Sequence, residues 1–252
     1  MIMHRLFRLI GFALLCVLAG AAFAQMRTTP PARAPQFFHM TVFRQLQPGY
    51  ADFLQNQLHP ARQRGGVKTL YAWSTALGDL NELITLQPLD NADSFYQLDM
   101  PQREPAAAVL WRRFEQFYEE RLDYVIVTRP ELSAELLPAP NWPRLVRLRI
   151  TTTAPQRDGE FKQWLQRELL PHATRYAAAT EWLSTLRYGG DVNNTFLSWR
   201  MSESFADLDA AFDRQANAHL VAAGIVTCDT DYWLRYRADL SIVAGKAAIS
   251  DR

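Results

Sequence analysis

Gly78-Asp79-Leu80-Asn81 returns later in the chain as Gly190-Asp191-Val192-Asn193, and each copy lies between two strand-like runs. The spacing far exceeds the roughly 20 to 50 residues of a solenoid repeat, so it points to two copies of one supersecondary unit. Glycine supplies the positive φ that a tight hairpin needs, and Asp or Asn side chains bond their own backbone in a turn. The tetrapeptide therefore reads as a hairpin turn used twice. The alternative is a ligand contact used twice.

The residues around each copy extend the pattern. Phe37 to Arg44 forms a strand-like run closed by Pro48-Gly49. An amphipathic helix follows from about Tyr50 to Arg64, with Phe53, Leu54, Leu58 and Ala61 on one face. Pro60 is expected to kink that helix or end it early. Strands at Val67 to Thr75 and Leu83 to Leu89 flank the turn. Ala106 to Leu122 has helical spacing, and Asp123 to Thr128 closes the unit as a strand. Pro130, Pro138, Pro140 and Pro143 then mark a linker. Beyond it come a strand (Leu145 to Thr153), a helix (Glu160 to Ala179), a hairpin (Trp182 to Met201), helices (Phe205 to about Ala223) and a last strand (Tyr232 to Ser241). Leu54, Leu58 and Pro60 correspond to Leu165, Leu169 and Pro171, and Asp123-Tyr124 corresponds to Asp231-Tyr232.

A β-α-β-β-α-β unit makes an antiparallel four-stranded sheet with both helices on one face. The other face would expose apolar surface, unfavourable by roughly 25 cal/mol per Å². A second copy covers it. The expected fold class is α+β, with two fused ferredoxin-like (β-α-β-β-α-β) repeats forming an intrachain dimeric α+β barrel. The domains expected are a signal peptide at 1–24, a disordered leader at 25–35, repeat 1 at 36–130, a Pro-rich linker at 131–142, repeat 2 at 143–242 and a tail at 243–252.

The N-terminus carries Arg5 and Arg8, an apolar stretch from Leu9 to Phe23, and Ala22-Phe23-Ala24 before Gln25. That is the layout of a secretory signal peptide cleaved after Ala24. The apolar run falls short of the roughly 20 residues that cross a bilayer. A periplasmic or secreted location is expected, with no membrane association after cleavage. The chain has 27 basic and 26 acidic residues, and loss of Arg5 and Arg8 leaves one more acid than base. Such a balance gives no electrostatic case for nucleic acid as a partner. Cys228 is then the only cysteine, expected to be a small buried apolar side chain rather than a nucleophile.

Tyr71-Ala72-Trp73-Ser74-Thr75-Ala76-Leu77-Gly78-Asp79-Leu80-Asn81-Glu82-Leu83-Ile84, followed by Leu89-Asp90 and a helix start near Asp93-Ser94-Phe95, resembles the NIPSNAP family over about residues 36 to 130. The second half looks like a more diverged copy, with Asn194 in place of Glu82. The family belongs to the dimeric α+β barrel group of ferredoxin-like folds, which also holds cofactor-independent monooxygenases, haem-degrading enzymes and stress-response barrels. The resemblance brings no catalytic residue to carry over.

Chemistry is expected inside the barrel. Phe38, Met40 and Val42 align with Leu148, Ile150 and Thr152 as the apolar set meeting the helices. This leaves Phe37, His39, Thr41 and Phe43 with Arg147, Arg149, Thr151 and Thr153 for the lumen. The last strands add Arg129, Trp233, Arg235 and Arg237. A lumen carrying His39, Arg147, Arg149 and Arg235 suits an anionic or carboxylate-bearing ligand; at the rim, the same arginines would pair with surface carboxylates. Trp73 either shapes a pocket or fills a closed core. His59 and His172 are helix-surface residues by default and hypothetical acid–base groups or haem ligands otherwise. Glu119-Glu120 reads as a solvated helix face. No metal-ligand cluster, P-loop, Gly-x-Gly-x-x-Gly, Gly-x-Ser-x-Gly or His-Glu-x-x-His motif is present.

Two function classes remain. One is a small-ligand carrier or interaction module for an apolar or anionic molecule, without cofactor. The other is an enzyme of the cofactor-independent monooxygenase or haem-degrading type, with haem possible. The barrel can be completed within one monomer, while edge strands could still pair in a homodimer.

Overall fold

The computed structural model describes residues 34–78, 81–98, 105–133, 144–171, 180–189, 194–208 and 218–243. The expected signal peptide lies outside the described residues, as do Asp79 and Leu80 of the first Gly-Asp-x-Asn copy and all of the second. Gly78 itself has φ +98°, and Gly189, which directly precedes the second copy, has φ +96°.

Eight strands carry the fold: β1 (Phe37–Arg44), β2 (Thr69–Leu77), β3 (Leu83–Leu89), β4 (Glu120–Thr128), β5 (Leu145–Thr153), β6 (Thr180–Tyr188), β7 (Thr195–Ser202) and β8 (Val226–Tyr236). The order β3-β1-β4-β6-β7-β5-β8-β2, with β2 returning to pair with β3, closes an antiparallel barrel. A short β9 (Ile242–Val243) adds to the start of β2. Each half is a ferredoxin-like sheet, and the halves join at two seams, β4–β6 and β8–β2. Closure removes the edges that an open sheet would expose. Both seams carry a β-bulge, at Val125/Ile126 and at Thr75/Leu77. Bulges supply the bend that closure requires. No helix among the described residues is long and apolar enough to cross a membrane.

The strand registers set the true correspondence between halves. His39 matches Arg147, Thr41 matches Arg149 and Asp123 matches Asp231, because both β1–β4 and β5–β8 pair in the same frame. The alignment of Phe38 with Leu148 is therefore off by two residues. The assignment of faces is corrected as well. Phe38, Met40 and Val42 point into the lumen, where they pack with Trp73, Ile84, Leu86, Val146, Leu148, Leu197, Trp199 and Met201 in one buried cluster. Trp73 and Trp199, both fully buried, meet at the centre with ring centroids 5.8 Å apart. The lumen is a filled core, and Trp73 belongs to it. His39, Arg147, Arg149 and Arg235 lie on the outer, helix-facing side.

Helix α1 runs from Tyr50–Phe53 through a π turn at Leu54–Leu58 to His59–Arg64. Pro60 does not end it. The wider π turn accommodates a proline, which lacks an N–H and would otherwise clash with the preceding turn. The second half repeats the device in α3, Asp158–Trp164, followed by a π turn at Leu165–Leu169 just before Pro171. Helix α2 (Pro105–Phe114) is shorter than its periodicity suggests, and a 3-10 turn (Glu115–Phe117) leads into β4 at Glu120. Glu120 is thus a strand residue paired with Arg44 at 2.9 Å, not part of a helix face. Phe53, Leu54, Leu58 and Phe114 fill the helix–sheet layer of the first half. Phe161, Leu165, Leu183 and Phe196 fill that of the second. Cys228 is exposed rather than buried, on a stretch of β8, 227–231, that is exposed throughout.

Candidate functional site

The outer face of each half-sheet carries a cluster built on one repeated aspartate. In the second half, Arg147 on β5 grips Asp231 on β8 with two bonds, Nε to Oδ1 at 3.0 Å and Nη2 to Oδ2 at 2.8 Å. Arg149 reaches the same carboxylate at 3.1 and 3.3 Å, and its Nε lies 3.6 Å from Asp229 Oδ2. Thr151 donates to Asp229 at 3.0 Å. These residues share a face because alternate positions on a strand point the same way. The guanidinium of Arg147 also lies 5.1 Å from the Trp233 ring centroid. Burial raises the Asp231 carboxyl, but the hydrogen bonds from Arg147 and Arg149 outweigh it and hold the group below its usual range. Asp229 goes the other way: burial, reinforced by the charge of Asp231, outweighs Arg149 and Thr151 and raises it.

Above this floor lies a cleft walled by Phe161, Trp164, Leu165 and Leu169 of α3, with Arg147, Arg149, Ser198 and Arg200 on the sheet side. Its volume is about 30 Å³, room for about one water. Arg147 and Arg200 are only 5% and 6% exposed. The π turn supplies Leu165 and Leu169, so the irregular part of the helix is the part that covers the arginines.

The first half places different chemistry on the same frame. His39 Nε2 lies 2.7 Å from Asp123 Oδ1, and Thr41 donates to that oxygen at 3.0 Å. Arg121 binds both oxygens, Nε on Oδ2 at 2.7 Å and Nη2 on Oδ1 at 3.0 Å. Burial raises Asp123, but the bond to His39 and the charge of Arg121 prevail, so it stays ionised well into acid. An ionised carboxylate only accepts, so Nε2 carries the imidazole proton. Phe95 meets the His39 ring edge-on at 5.0 Å. On the neighbouring strand, Gln87 accepts from Arg62 of α1 at 3.0 Å. The Trp111 ring has Arg121 and Arg62 at 4.8 and 5.7 Å from its centroid.

The other sequence candidates scatter. Arg235 is exposed on β8. Arg129 pairs with Glu131, and Arg237 with Asp239 at 2.7 Å, in matching 3-10 turns after β4 and β8. His59 is not a surface residue: it is 6% exposed, bonds the Leu240 carbonyl at 2.9 Å, and is pushed down to about 3 by burial and by Arg62. It is a neutral packing residue. His172 lies outside the described residues. Asp123, Asp229, Asp231 and Arg200 were not expected to take part. The repeated Asp-Tyr dipeptide was the signal that could have found the first and third, since a charged residue kept within two apolar strands calls for a partner.

Haem, which the wider fold group uses, finds no iron ligand among the described cleft residues, whose side chains are Arg, Thr, Ser, Phe, Trp and Leu. No group of three or more His, Cys, Asp or Glu that could hold a metal ion occurs among the described residues.

No protein-family model matches the sequence, and no curated protein matches it significantly. Solved structures do share the fold. A candidate monooxygenase from Fusobacterium nucleatum superposes with a TM-score of 0.58 at 11% identity, over 81% of this chain and 93% of that one. A mutant chlorite dismutase from Candidatus Nitrospira defluvii gives 0.57 at 10% identity, over 81% and 92%. A haem-binding protein from Thermus thermophilus gives 0.51 at 11% identity, over 82% and 93%. At such identities the likeness establishes the dimeric α+β barrel fold alone.

Proposed function

We propose that the protein is an exported, NIPSNAP-like small-ligand-binding barrel whose site is the helix–sheet cleft of the second half, and that its ligand joins a flat apolar body to an anionic group. One observation carries this reading: Arg147 and Arg200 lie buried, and Arg149 half-buried, beneath an aromatic and aliphatic wall. Asp231 fixes Arg147 and Arg149 in position, so a carboxylate that meets them finds preorganised donors. Phe161 and Trp164, nearly parallel at 23°, offer flat contact to a ring. Since the cleft has room for about one water, a ring-sized ligand would need the π-turn part of α3 to lift from the sheet.

Isothermal titration of the protein with 2-naphthoate tests the assignment. Binding weakened about 10- to 100-fold by Arg149→Gln, as expected for loss of a charge-assisted bond worth about 1.5 to 3 kcal/mol, supports it. Binding that ignores Arg149, or its absence in the intact protein, refutes it. The haem-binding neighbour motivates a second arm. A haem titration that develops a ligated Soret band would move the protein to the haem-using branch, and would implicate a ligand outside the described cleft residues.

A further inference from the structure

The two halves place their key side chains at matching backbone positions yet differ in what those side chains can do. Arg147 and Asp231 form a permanent ion pair, because a guanidinium keeps its proton at any physiological pH. Their counterparts are His39 and Asp123, and an imidazole, unlike a guanidinium, can accept a proton at a ring nitrogen. We propose that the helix-facing site of the first half is a proton-accepting site for the O–H of a phenol or enol, with His39 as the base and Asp123 as the residue that positions it.

Four observations support this. His39 Nε2–H donates to Asp123 at 2.7 Å, which fixes the tautomer and leaves Nδ1 with its lone pair. Nδ1 makes no hydrogen bond among the described residues. Arg121 binds both oxygens of Asp123, Nε on Oδ2 at 2.7 Å and Nη2 on Oδ1 at 3.0 Å, so the carboxylate orients the ring without itself accepting a proton. The surroundings also fit a flat, ionising ligand: the Phe95 ring meets the imidazole at 5.0 Å, and Trp111 is flanked by Arg121 and Arg62.

The step balances simply. The O–H bond breaks with its electron pair kept on oxygen, and the proton bonds to Nδ1. The imidazolium formed stays bonded to Asp123 through Nε2, and the phenolate is drawn toward Arg62, whose Nη2 is 3.0 Å from Gln87 on the strand beside His39. A carboxylate-oriented imidazole with its second nitrogen available is the arrangement by which general bases work on several folds. Among the described residues, the charged groups facing His39 are Asp123 and Arg121 from β4 and Arg62 from α1; Phe95 and Thr41 are uncharged. This site is separate from the arginine cleft, and either can fail without the other.

The test uses 4-nitrophenol, whose phenolate absorbs visibly, with the full-length folded protein in excess across a pH series. The bound probe should titrate about one pH unit below the free probe, a tenfold shift toward phenolate. His39→Gln and Asp123→Asn should each remove the shift while circular dichroism stays native. Nitrogen-resolved NMR of the wild-type His39 ring avoids reliance on variants: Nδ1 should be unprotonated in the free protein and protonated when the probe is bound. No binding, or a shift that survives His39→Gln but vanishes in Arg149→Gln, would overturn the proposal. An Nδ1 that stays unprotonated beside bound phenolate would overturn it too.

Discussion

Replacing Asp231 by Asn removes the charge from the carboxyl on which Arg147 and Arg149 converge through four hydrogen bonds of 2.8 to 3.3 Å. Asn keeps one acceptor oxygen and turns the other into a donor that faces a guanidinium. Breaking a buried pair costs about 3 to 5 kcal/mol, since the remaining charge stays desolvated. The Arg147 side chain is 6% exposed, but that of Asp231 is 30% exposed, and water reaching the pair lowers the expectation to about 2 kcal/mol. In a domain of this size each kcal/mol moves the melting temperature by roughly 2 to 4 °C, so Asp231→Asn should lower it by about 4 to 8 °C at pH 7. The folded carboxyl titrates below its unfolded value. Its stabilisation is therefore complete above the ordinary Asp range near 4 and disappears as pH falls through the lower folded value, so wild type and variant should converge in acid. Calorimetry over pH 3 to 7 reads both effects. The matched control is Glu131→Gln, which removes an exposed pair with Arg129 and should change stability by less than about 0.5 kcal/mol. If Asp231→Asn moved the melting temperature no more than that control, the cluster would be a surface ion pair and the buried-floor reasoning would fail.

Other outcomes follow from the same structure. Trp199→Ala should destabilise by about 3 to 5 kcal/mol in urea unfolding, because it empties the centre of a filled lumen; a loss below 1 kcal/mol would mean the barrel interior is loosely packed. Gly189→Ala should cost more than Gly78→Ala: both have positive φ, but a Cβ at Gly189 would overlap the Asp123 carbonyl whereas one at Gly78 meets open space. Equal melting temperatures for the two variants would contradict that difference. His59 is neutral when folded and titrates at about 3 against the ordinary 6.5, so its contribution is complete above pH 6.5 and declines as pH falls below it. By pH 5 the wild type should have lost about 2 kcal/mol through this group, and His59→Leu should flatten that part of the stability–pH curve.

The architecture could be read from the sequence because both halves keep the same turns, helix starts and closing Asp-Tyr strands. The faces could not. A half-buried strand alternates apolar and polar residues, but Phe37-Phe38 and Val42-Phe43 put apolar residues on both sides of β1, as strands covered on two faces do. Periodicity then offers no way to choose where His39 points. His59 was misplaced for another reason: the carbonyl it bonds belongs to Leu240, 181 residues away. A further repeat is legible in the sequence. Arg129-Pro130-Glu131-Leu132-Ser133 returns as Arg237-Ala238-Asp239-Leu240-Ser241. Each copy folds into the same turn, with serine bonding the arginine carbonyl at 2.8 and 2.7 Å and leucine buried.

That turn bears on how the ring holds together. Ser133, at the end of the first half, accepts the backbone N–H of Leu183 in the second at 3.0 Å, and Ser241 accepts that of Ala72 in the first, also at 3.0 Å. The polypeptide passes from one half to the other once, between Ser133 and Arg144, whereas these reciprocal clasps join them twice. Covalent continuity is thus the less symmetric of the two linkages. A chain cut within 134–143 should stay assembled as a two-piece ring, and separating the pieces would require both seams to part together.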